Sequence, residues 1–142
     1  MKIYQAVKKI LKLLPSQRIF LLCGELGAGK TKLTKIIAKK LKIKETLTSP
    51  TFILWQKYEF KIKRKRYFLN HLDLYRIKAE DILKLDLRKE ITKKENIFFI
   101  EWGEKLKLYL KKRKIKHVEI IIKKQGKKRE YLIKNESLFN RC

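Results

Sequence analysis

Apolar residues recur at helical spacing along four stretches of the chain. Residues 3–14, 30–41, 79–91 and 103–112 each carry apolar side chains three or four positions apart, which predicts amphipathic helices. Proline cannot continue a helix, so we expect Pro15 to end the first one. Each predicted helix would pack one face against a core.

Shorter apolar runs between these helices predict strands. Residues 18–23 and 97–100 are apolar almost throughout, as in strands that are buried on both faces. Four further runs form two pairs, separated by the basic residues 61–66 in the first pair and by Gln125 and Gly126 in the second. We expect the first pair to be an antiparallel hairpin. The four runs are residues 52–60, 67–72, 118–122 and 130–133.

A glycine-rich motif connects the first buried strand to the second helix. It has the pattern Gly-x-x-x-x-Gly-Lys-Thr, and it contains three of the five glycines of the chain. Its glycines let backbone N–H groups converge on phosphate oxygens, and a strand before it and a helix after it favour a nucleotide site over a turn without a ligand. Lys30 is expected to reach the β- and γ-phosphates, and the Thr31 hydroxyl to bind Mg²⁺. The motif consists of Gly24, Glu25, Leu26, Gly27, Ala28, Gly29, Lys30 and Thr31, and Lys32 follows it.

The order of the elements and this motif together indicate the fold class. Helices and strands interleave, and neither a linker nor an internal repeat divides the chain. We predict a single α/β domain over residues 1–142. It would have the three-layer fold of P-loop NTPases, with a mixed sheet that combines a parallel core with an antiparallel hairpin.

Two carboxylates follow apolar strands, where they could complete a nucleotide site. Glu101 comes directly after residues 97–100, and Asp73 directly after residues 67–72. Ligands of open α/β sheets bind at the carboxyl ends of the strands, so both carboxylates would face the phosphate-binding loop. There they could bind Mg²⁺ or orient the attacking water. The alternative is that each one only caps a strand or forms an ion pair.

Five other residues each have two interpretations. The hydroxyls of Ser49 and Thr51 could belong to a switch loop that the γ-phosphate orders, or to an ordinary turn. Trp102 could pack over the nucleotide site or in the core. His71 could act as a base or relay, but a structural role is the simpler interpretation. Arg76 could contact phosphate, although a surface ion pair is simpler.

The net charge of +25 invites an interpretation as a nucleic-acid-binding protein. The 39 basic residues are spread along the whole chain, however, as on a solvated surface, and a biased genomic composition explains them equally well. The densest cluster, residues 61–66, is expected to be a solvated hairpin tip rather than a phosphate-binding patch. Direct contact with RNA therefore stays open.

Composition also bears on where the protein acts. No apolar run approaches the length of about 20 residues that a membrane-spanning helix needs, and the first residues lack the apolar block of a signal peptide. The two cysteines, Cys23 and Cys142, have neither a disulfide nor a metal-site spacing. We expect a cytoplasmic protein that does not contact membranes.

The motifs, taken in order, resemble the TsaE family of small bacterial ATPases. The phosphate-binding loop is followed by Ser-Pro-Thr-Phe at residues 49–52, His-Leu-Asp-Leu-Tyr-Arg at 71–76 and Ile-Glu-Trp at 100–102. The resemblance runs from about residue 3 to about residue 133. One departure is Lys32, where the family often has a second threonine. The family is not generally as basic as this chain.

The resemblance implies a function and a set of roles. It implies that ATP and Mg²⁺ are the cofactors, with slow hydrolysis that supports threonylcarbamoyladenosine modification of tRNA. The partners would be the two transferase proteins of TsaB and TsaD type, which carry out the transfer, so that tRNA is met indirectly. Lys30 and Thr31 would bind phosphate and Mg²⁺, and residues 49–51 would form the first switch. Asp73 and Glu101 would act at the metal and the water in an order left open, beside Trp102.

Two other functions are compatible with the sequence. The first is a small-molecule or nucleoside kinase, which would need an arginine-bearing lid, and residues 61–66 are its only candidate. The second is a basic RNA-binding module in which the nucleotide has a structural role. The motifs do not distinguish ATP from GTP.

Overall fold

Helices and strands alternate along the chain, as the hydrophobic pattern predicts. The computed structural model describes residues 1–45, 47, 55–82 and 87–136. In this part of the chain the helices are α1 (Ile3–Leu13), α2 (Lys30–Lys40), α3 (Ala79–Ile82), α4 (Leu87–Glu90) and α5 (Lys107–Lys112), and a 3₁₀ helix spans Gly103–Leu106. The strands are β1 (Ile19–Cys23), β2 (Trp55–Ile62), β3 (Lys65–Asp73), β4 (Asn96–Glu101), β5 (His117–Gln125) and β6 (Lys128–Glu136).

The described strands form one mixed sheet in the order β2-β3-β4-β1-β5-β6. Strands β3, β4, β1 and β5 are parallel to one another. Strands β2 and β6 lie at the two edges and pair antiparallel with β3 and β5. The predicted mixed α/β sheet with a parallel core is therefore confirmed. Because β1 lies between β4 and β5, the loop after β1 emerges in the middle of the carboxyl edge of the sheet.

Helices cover both faces of this sheet and produce three layers. Successive residues of a strand point to opposite faces, so Phe20 and Leu22 pack with α1 and α2, whereas Ile19 and Leu21 pack with α4, the 3₁₀ helix and α5. Phe20 also stacks on Phe99 of β4, with ring centroids 4.8 Å apart. Full burial of an apolar side chain of this size contributes about 1.5–3 kcal/mol. The central strands are thus held by two apolar layers.

In both edge hairpins the strands extend farther toward the turn than the hydrophobic pattern predicts. Residues 52–54 of the first predicted run lie outside the described residues. The basic tip expected over residues 61–66 is shorter, because β2 continues to Ile62 and β3 begins at Lys65. The turn consists of Lys63 and Arg64, whose φ angles of 50° and 72° suit a two-residue hairpin turn. The ends of these strands carry charged residues, so the hydrophobic pattern did not show how far the strands extend. The β5–β6 hairpin extends in the same way around its turn at Gly126.

The single helix predicted for residues 79–91 corresponds to two shorter helices in the described part of the chain, α3 and α4. Residues 83–86 lie between them, outside the described residues. Of the apolar positions that predicted this helix, Leu87 and Ile91 are buried against the sheet. None of the helices in the described ranges is long and apolar enough to cross a membrane.

Candidate functional site

Glycines set the conformation of the phosphate-binding loop between β1 and α2. Gly27 and Gly29 have φ angles of 80° and 103°, a region that residues with a side chain rarely adopt. Gly24 is needed for a different reason, because a Cβ at this position would lie 2.9 Å from the carbonyl oxygen of Ile122 on β5. The loop therefore packs tightly on β5 where it begins and turns sharply farther on.

Lys30 is buried at the start of α2, with 5% of its surface exposed. Its Nζ donates to the carbonyl oxygens of Gly24 (2.6 Å) and Glu25 (3.1 Å) and lies 4.1 Å from the centroid of the Trp102 ring. Burial lowers the pKa of the Lys30 ammonium, and the carboxylate of Glu101 opposes that shift. The partners of this ammonium are neutral carbonyls and a π face, which an anionic phosphate oxygen could replace.

Thr31, Glu101 and His71 form a hydrogen-bonded chain beside the loop. The Thr31 hydroxyl donates to Oε2 of Glu101 at 2.6 Å, and Nε2 of His71 lies 2.6 Å from the same oxygen. Glu101 is 4% exposed and His71 is fully buried. An ionised carboxylate can only accept hydrogen bonds, so Nε2 of His71 is the ring nitrogen that carries the proton. The chain holds the Glu101 carboxylate in one orientation next to Thr31.

Asp73 lies beside Glu101 at the carboxyl edge of the sheet, because β3 and β4 pair in register at these two residues. Its side chain is half-buried, and its Oδ1 accepts the N–H of Tyr75 at 3.0 Å. Lys105, in the 3₁₀ helix, donates to three carbonyl oxygens in the turn that follows β3. This turn is therefore fixed from two sides, which sets the position of Asp73.

A cavity of about 530 Å³ opens where these elements meet. The predicted site residues from Leu26 to Lys32 line it, together with Asp73, Glu101 and Trp102. Gly24 and Glu25 act instead through the carbonyls that hold Lys30. The remaining candidates, Ser49 and Thr51, lie outside the described residues, so the switch loop stays a prediction. The lining residues are Leu26, Gly27, Ala28, Gly29, Lys30, Thr31, Lys32, Asp73, Tyr75, Arg76, Glu101 and Trp102.

The aromatic wall of the cavity combines the two interpretations given for Trp102. This residue packs at the border of the core and also lines the cavity. Its φ angle is 60°, and the next residue must be small, since a Cβ on Gly103 would lie 2.7 Å from the Cα of Leu21. Tyr75 lies against it with ring centroids 5.0 Å apart. The sequence pointed to Trp102 and not to Tyr75, although Tyr75 lies in the same His-Leu-Asp-Leu-Tyr-Arg segment as Asp73.

Two further residues lie at the site. His71 contacts Glu101 directly, so its structural role acts on the site itself. Arg76 lines the cavity rather than being confined to the outer surface. His71 and Arg76 both belong to the His-Leu-Asp-Leu-Tyr-Arg segment around Asp73. This shared segment was the signal that could have placed both residues at the site.

Cys23 ends β1 immediately before the loop, in surroundings that disfavour its thiolate form. Burial and the neighbouring carboxylates of Glu104 and Glu119 raise the pKa of the thiol to about 12. A nucleophilic cysteine needs a thiolate, which this environment disfavours. Cys23 is therefore not a candidate nucleophile of this site.

The oxygen donors of the site suit Mg²⁺, a hard cation that binds oxygen ligands. The Thr31 hydroxyl and the Glu101 carboxylate lie 2.6 Å apart, and Asp73 lines the same cavity. In the described ranges, no three His, Cys, Asp or Glu side chains group closely enough to hold a metal by themselves. Mg²⁺ is usually bound by one or two carboxylates together with substrate phosphates.

Fold and site together define a class of protein. A parallel core, a glycine loop between β1 and α2, and a carboxylate at the end of the adjacent β4 are the features of a P-loop NTPase-like fold.

Comparison with known proteins narrows this class to one family. The family model described as "Threonylcarbamoyl adenosine biosynthesis protein TsaE" matches residues 1–131, so the chain belongs to the TsaE family. This family is involved in the biosynthesis of tRNA threonylcarbamoyladenosine.

Three curated relatives are named "tRNA threonylcarbamoyladenosine biosynthesis protein TsaE". The protein from Nostoc sp. is 41% identical over 91 residues, which are 62% of this chain and 54% of that protein. The protein from Streptomyces coelicolor is 32% identical over 97 residues (68% and 64%), and that from Aquifex aeolicus is 36% identical over 104 residues (72% and 70%). The chain thus spans little more than half of the Nostoc protein and less than two thirds of the Streptomyces protein.

Proposed function

We propose that the protein binds ATP with Mg²⁺ at the phosphate-binding loop and hydrolyses it slowly. The observation that carries this proposal is the meeting of Lys30, Thr31 and Glu101 at one cavity. A buried ammonium there can take a phosphate, and a hydroxyl lies 2.6 Å from a carboxylate oxygen where Mg²⁺ can bind. Phosphoryl transfer depends mainly on positioning and on charge stabilisation, which such groups supply.

We further propose that this hydrolysis supports threonylcarbamoyladenosine modification of tRNA in a cytoplasmic complex. The partners are two transferase proteins of TsaB and TsaD type, and the threonylcarbamoyl group is transferred on them. The proposal is supported by membership of the TsaE family and by the names of the matched relatives. The site described above has groups for phosphates and a metal, and it serves as the energy-using part of the machinery.

Each residue has a distinct role in this proposal. Lys30 exchanges its carbonyl partners for the β- and γ-phosphates. Thr31 and Glu101 hold Mg²⁺, which neutralises charge on the phosphates. Within the described part of the chain, the Asp73 carboxylate is hydrogen-bonded through Oδ1 only. Its second oxygen is left to orient the attacking water. His71 keeps Glu101 oriented.

The nucleotide site can be tested with three variants and two nucleotides, ATP and GTP. Lys30→Ala should abolish binding of Mg-ATP in calorimetry. Asp73→Asn should keep binding and lower turnover by about 10²-fold, because it removes a water-orienting carboxylate. Glu101→Gln should raise the Mg²⁺ concentration needed for turnover. Retention of ATP affinity in Lys30→Ala would remove the site assignment, and a parallel titration with GTP measures the preference for the base.

The role in tRNA modification can be tested by reconstitution with the two transferase proteins. We expect wild-type protein to support multiple turnovers of threonylcarbamoyladenosine formation and Lys30→Ala to fail. The matched control is Lys35→Ala, which removes an exposed charge from the next turn of α2 at a position that does not line the cavity. Equal multiple turnover with wild type and Lys30→Ala would contradict the proposed function.

The position of the basic hairpin counts against the kinase alternative. Its tip, Lys63 and Arg64, joins the end of β2 to the start of β3. Because β3 runs parallel to β1, the start of β3 lies at the opposite edge of the sheet from the phosphate-binding loop. A lid must close over the phosphates, and this tip is placed too far away to do so.

A further inference from the structure

Arg129, at the start of β6, contacts the phosphate-binding loop from the edge of the sheet. Its Nε donates to the carbonyl oxygen of Ala28 at 3.1 Å, and its Nη2 donates to that of Gly27 at 3.4 Å. Its Nη1 donates to the carbonyl of Gly126, in the β5–β6 turn, at 3.3 Å. One guanidinium group therefore joins the edge hairpin to the centre of the loop.

These hydrogen bonds determine which way the peptide groups of the loop face. Across a trans peptide the carbonyl and the following N–H point in opposite directions. The carbonyl of Gly27 faces Arg129, and the N–H of Ala28 on the other side donates to the carbonyl of Glu25 at 3.0 Å. The carbonyl of Ala28 also faces Arg129, so the N–H of Gly29 faces away from it. Gly29 lines the cavity, where that N–H is available to an anion.

The Ala28–Gly29 peptide depends on this external contact, because the hydrogen bond from Ala28 N–H to Glu25 holds only the peptide before it. Gly27 and Gly29 have positive φ angles and no side chain to anchor them. A rotated peptide would turn a carbonyl oxygen toward the cavity, where it would repel phosphate. An arginine suits this position because its planar guanidinium can reach two acceptors at once, which a lysine ammonium on a flexible stem does less well.

We propose that Arg129 is a positioning residue of the nucleotide site, holding the carbonyls of Gly27 and Ala28 outward so that the N–H of Gly29 is turned toward the phosphates. The inference rests on the proposed function for the identity of its ligand. Whether Arg129 orients the loop can be measured without nucleotide.

The first test measures the loop in the absence of nucleotide. The chain has five glycines, so labelling with ¹⁵N-glycine gives a simple spectrum in which Gly27 and Gly29 report on the loop. Arg129→Ala should shift or broaden these two signals and leave Gly103, which packs on β1, unchanged. Lys128→Ala is the matched control, because it removes the same charge from the neighbouring position of β6 and should leave the loop signals in place.

The second test measures affinity for Mg-ATP. Arg129→Ala should weaken binding about tenfold, since a charge-assisted contact that orders the loop is lost. Lys128→Ala should bind within about twofold of wild type, as expected for an exposed charge. Arg129→Lys should fall between the two, because an ammonium keeps the charge but not the paired geometry. Turnover at saturating ATP should change less than affinity.

The outcomes separate this inference from the proposed function. Wild-type positions for the Gly27 and Gly29 signals in Arg129→Ala would overturn the inference, whatever the nucleotide affinity. If wild-type protein does not bind Mg-ATP, the proposed function fails, and the glycine spectrum still decides whether Arg129 orients the loop. A movement of Gly103 in Arg129→Ala would signal general unfolding, and Arg129→Lys is then the variant whose Gly27 and Gly29 signals decide.

Discussion

The carboxylate of Glu101 accepts hydrogen bonds from two side chains that lie far from it in the sequence. Thr31 begins α2, and His71 lies within β3, so the chain of contacts joins three separate elements. The imidazole is fully buried, and within the described residues its Nδ1 has no partner. A buried polar atom without a partner costs free energy. The hydrogen bond to Glu101 is therefore the contribution that the buried His71 side chain makes to the site.

Replacing His71 should affect turnover more than nucleotide binding. His71→Ala removes the donor that orients Glu101, so we expect it to raise the Mg²⁺ concentration needed for turnover and to lower kcat about tenfold, with a much smaller change in affinity for ATP at saturating Mg²⁺. His71→Gln should restore part of the loss, because its side-chain amide can donate near the position of Nε2. Steady-state kinetics and calorimetry on the same preparations measure both effects.

His117 offers a matched control for this experiment. It is also buried, at the start of β5, and its Nδ1 contacts the carbonyl of Ile115 at 2.9 Å, away from the cavity. His117→Gln should lower stability without lowering kcat of the folded protein. If the substitutions at His71 and His117 lower kcat alike, the special role of His71 is lost.

At the scale of elements, the short helix α4 is fastened to the sheet by its last residue. Glu90 forms ion pairs with Lys57 of β2 (3.0 Å) and with Lys93 (2.6 Å), and it accepts a hydrogen bond from Asn96 at the start of β4 (3.2 Å). A helix of four residues has little stability by itself. Together with the burial of Leu87, these contacts hold α4 in place.

The Glu90 contacts predict an acid-sensitive contribution to stability. Hydrogen bonds from Lys93 and Lys57 lower the pKa of Glu90 to about 2, below the value of about 4.5 expected in the unfolded chain. The contribution is therefore complete above about pH 5 and is lost as the pH falls toward 2. Glu90→Gln should lower the free energy of unfolding by about 1 kcal/mol at pH 7 and by little at pH 2.

Denaturant unfolding of Glu59→Gln supplies the control. Glu59 pairs with Arg66 at 3.8 Å on the exposed β2–β3 hairpin, so its removal should change the free energy of unfolding by less than about 0.5 kcal/mol at either pH. A Glu90→Gln difference that stays constant from pH 7 to pH 2 would show that the carboxylate charge is not the source.

At the scale of the whole molecule, the charge of +25 is distributed rather than concentrated. Basic residues occupy the tips of both edge hairpins, which lie at opposite edges of the sheet. Lysines also occupy the exposed positions of α1 and α2. A distributed charge attracts any polyanion through counterion release and does not discriminate between sequences.

The expected result is weak RNA binding that is independent of the nucleotide site. Affinity for tRNA should fall steeply as NaCl rises from about 50 to 200 mM and should match the affinity for an unrelated RNA of equal length. Lys30→Ala and the presence of Mg-ATP should leave it unchanged. Fluorescence anisotropy with labelled RNAs measures all three comparisons. A clear preference for tRNA would instead support the interpretation as an RNA-binding module.

Much of the fold could be predicted because it depends on local patterns. The glycine loop, β1, α2 and β4 were recognisable since the positions of their glycine and apolar residues follow patterns that act within a few positions. The strands of the edge hairpins were less predictable, because Lys61 and Lys65 are strand residues that look like a loop. Cross-strand pairing outweighs their low strand propensity.

The sequence by itself determined the phosphate-binding loop and the strand-end positions of Asp73 and Glu101. Only the tertiary structure decided that His71 contacts Glu101, that Tyr75 packs against Trp102 and that Arg129 donates to the loop carbonyls. The physical reason is that loop and strand-end chemistry depends on backbone conformation, which neighbouring residues set. Contacts between side chains depend instead on strand order and register, which arise only when the whole sheet assembles.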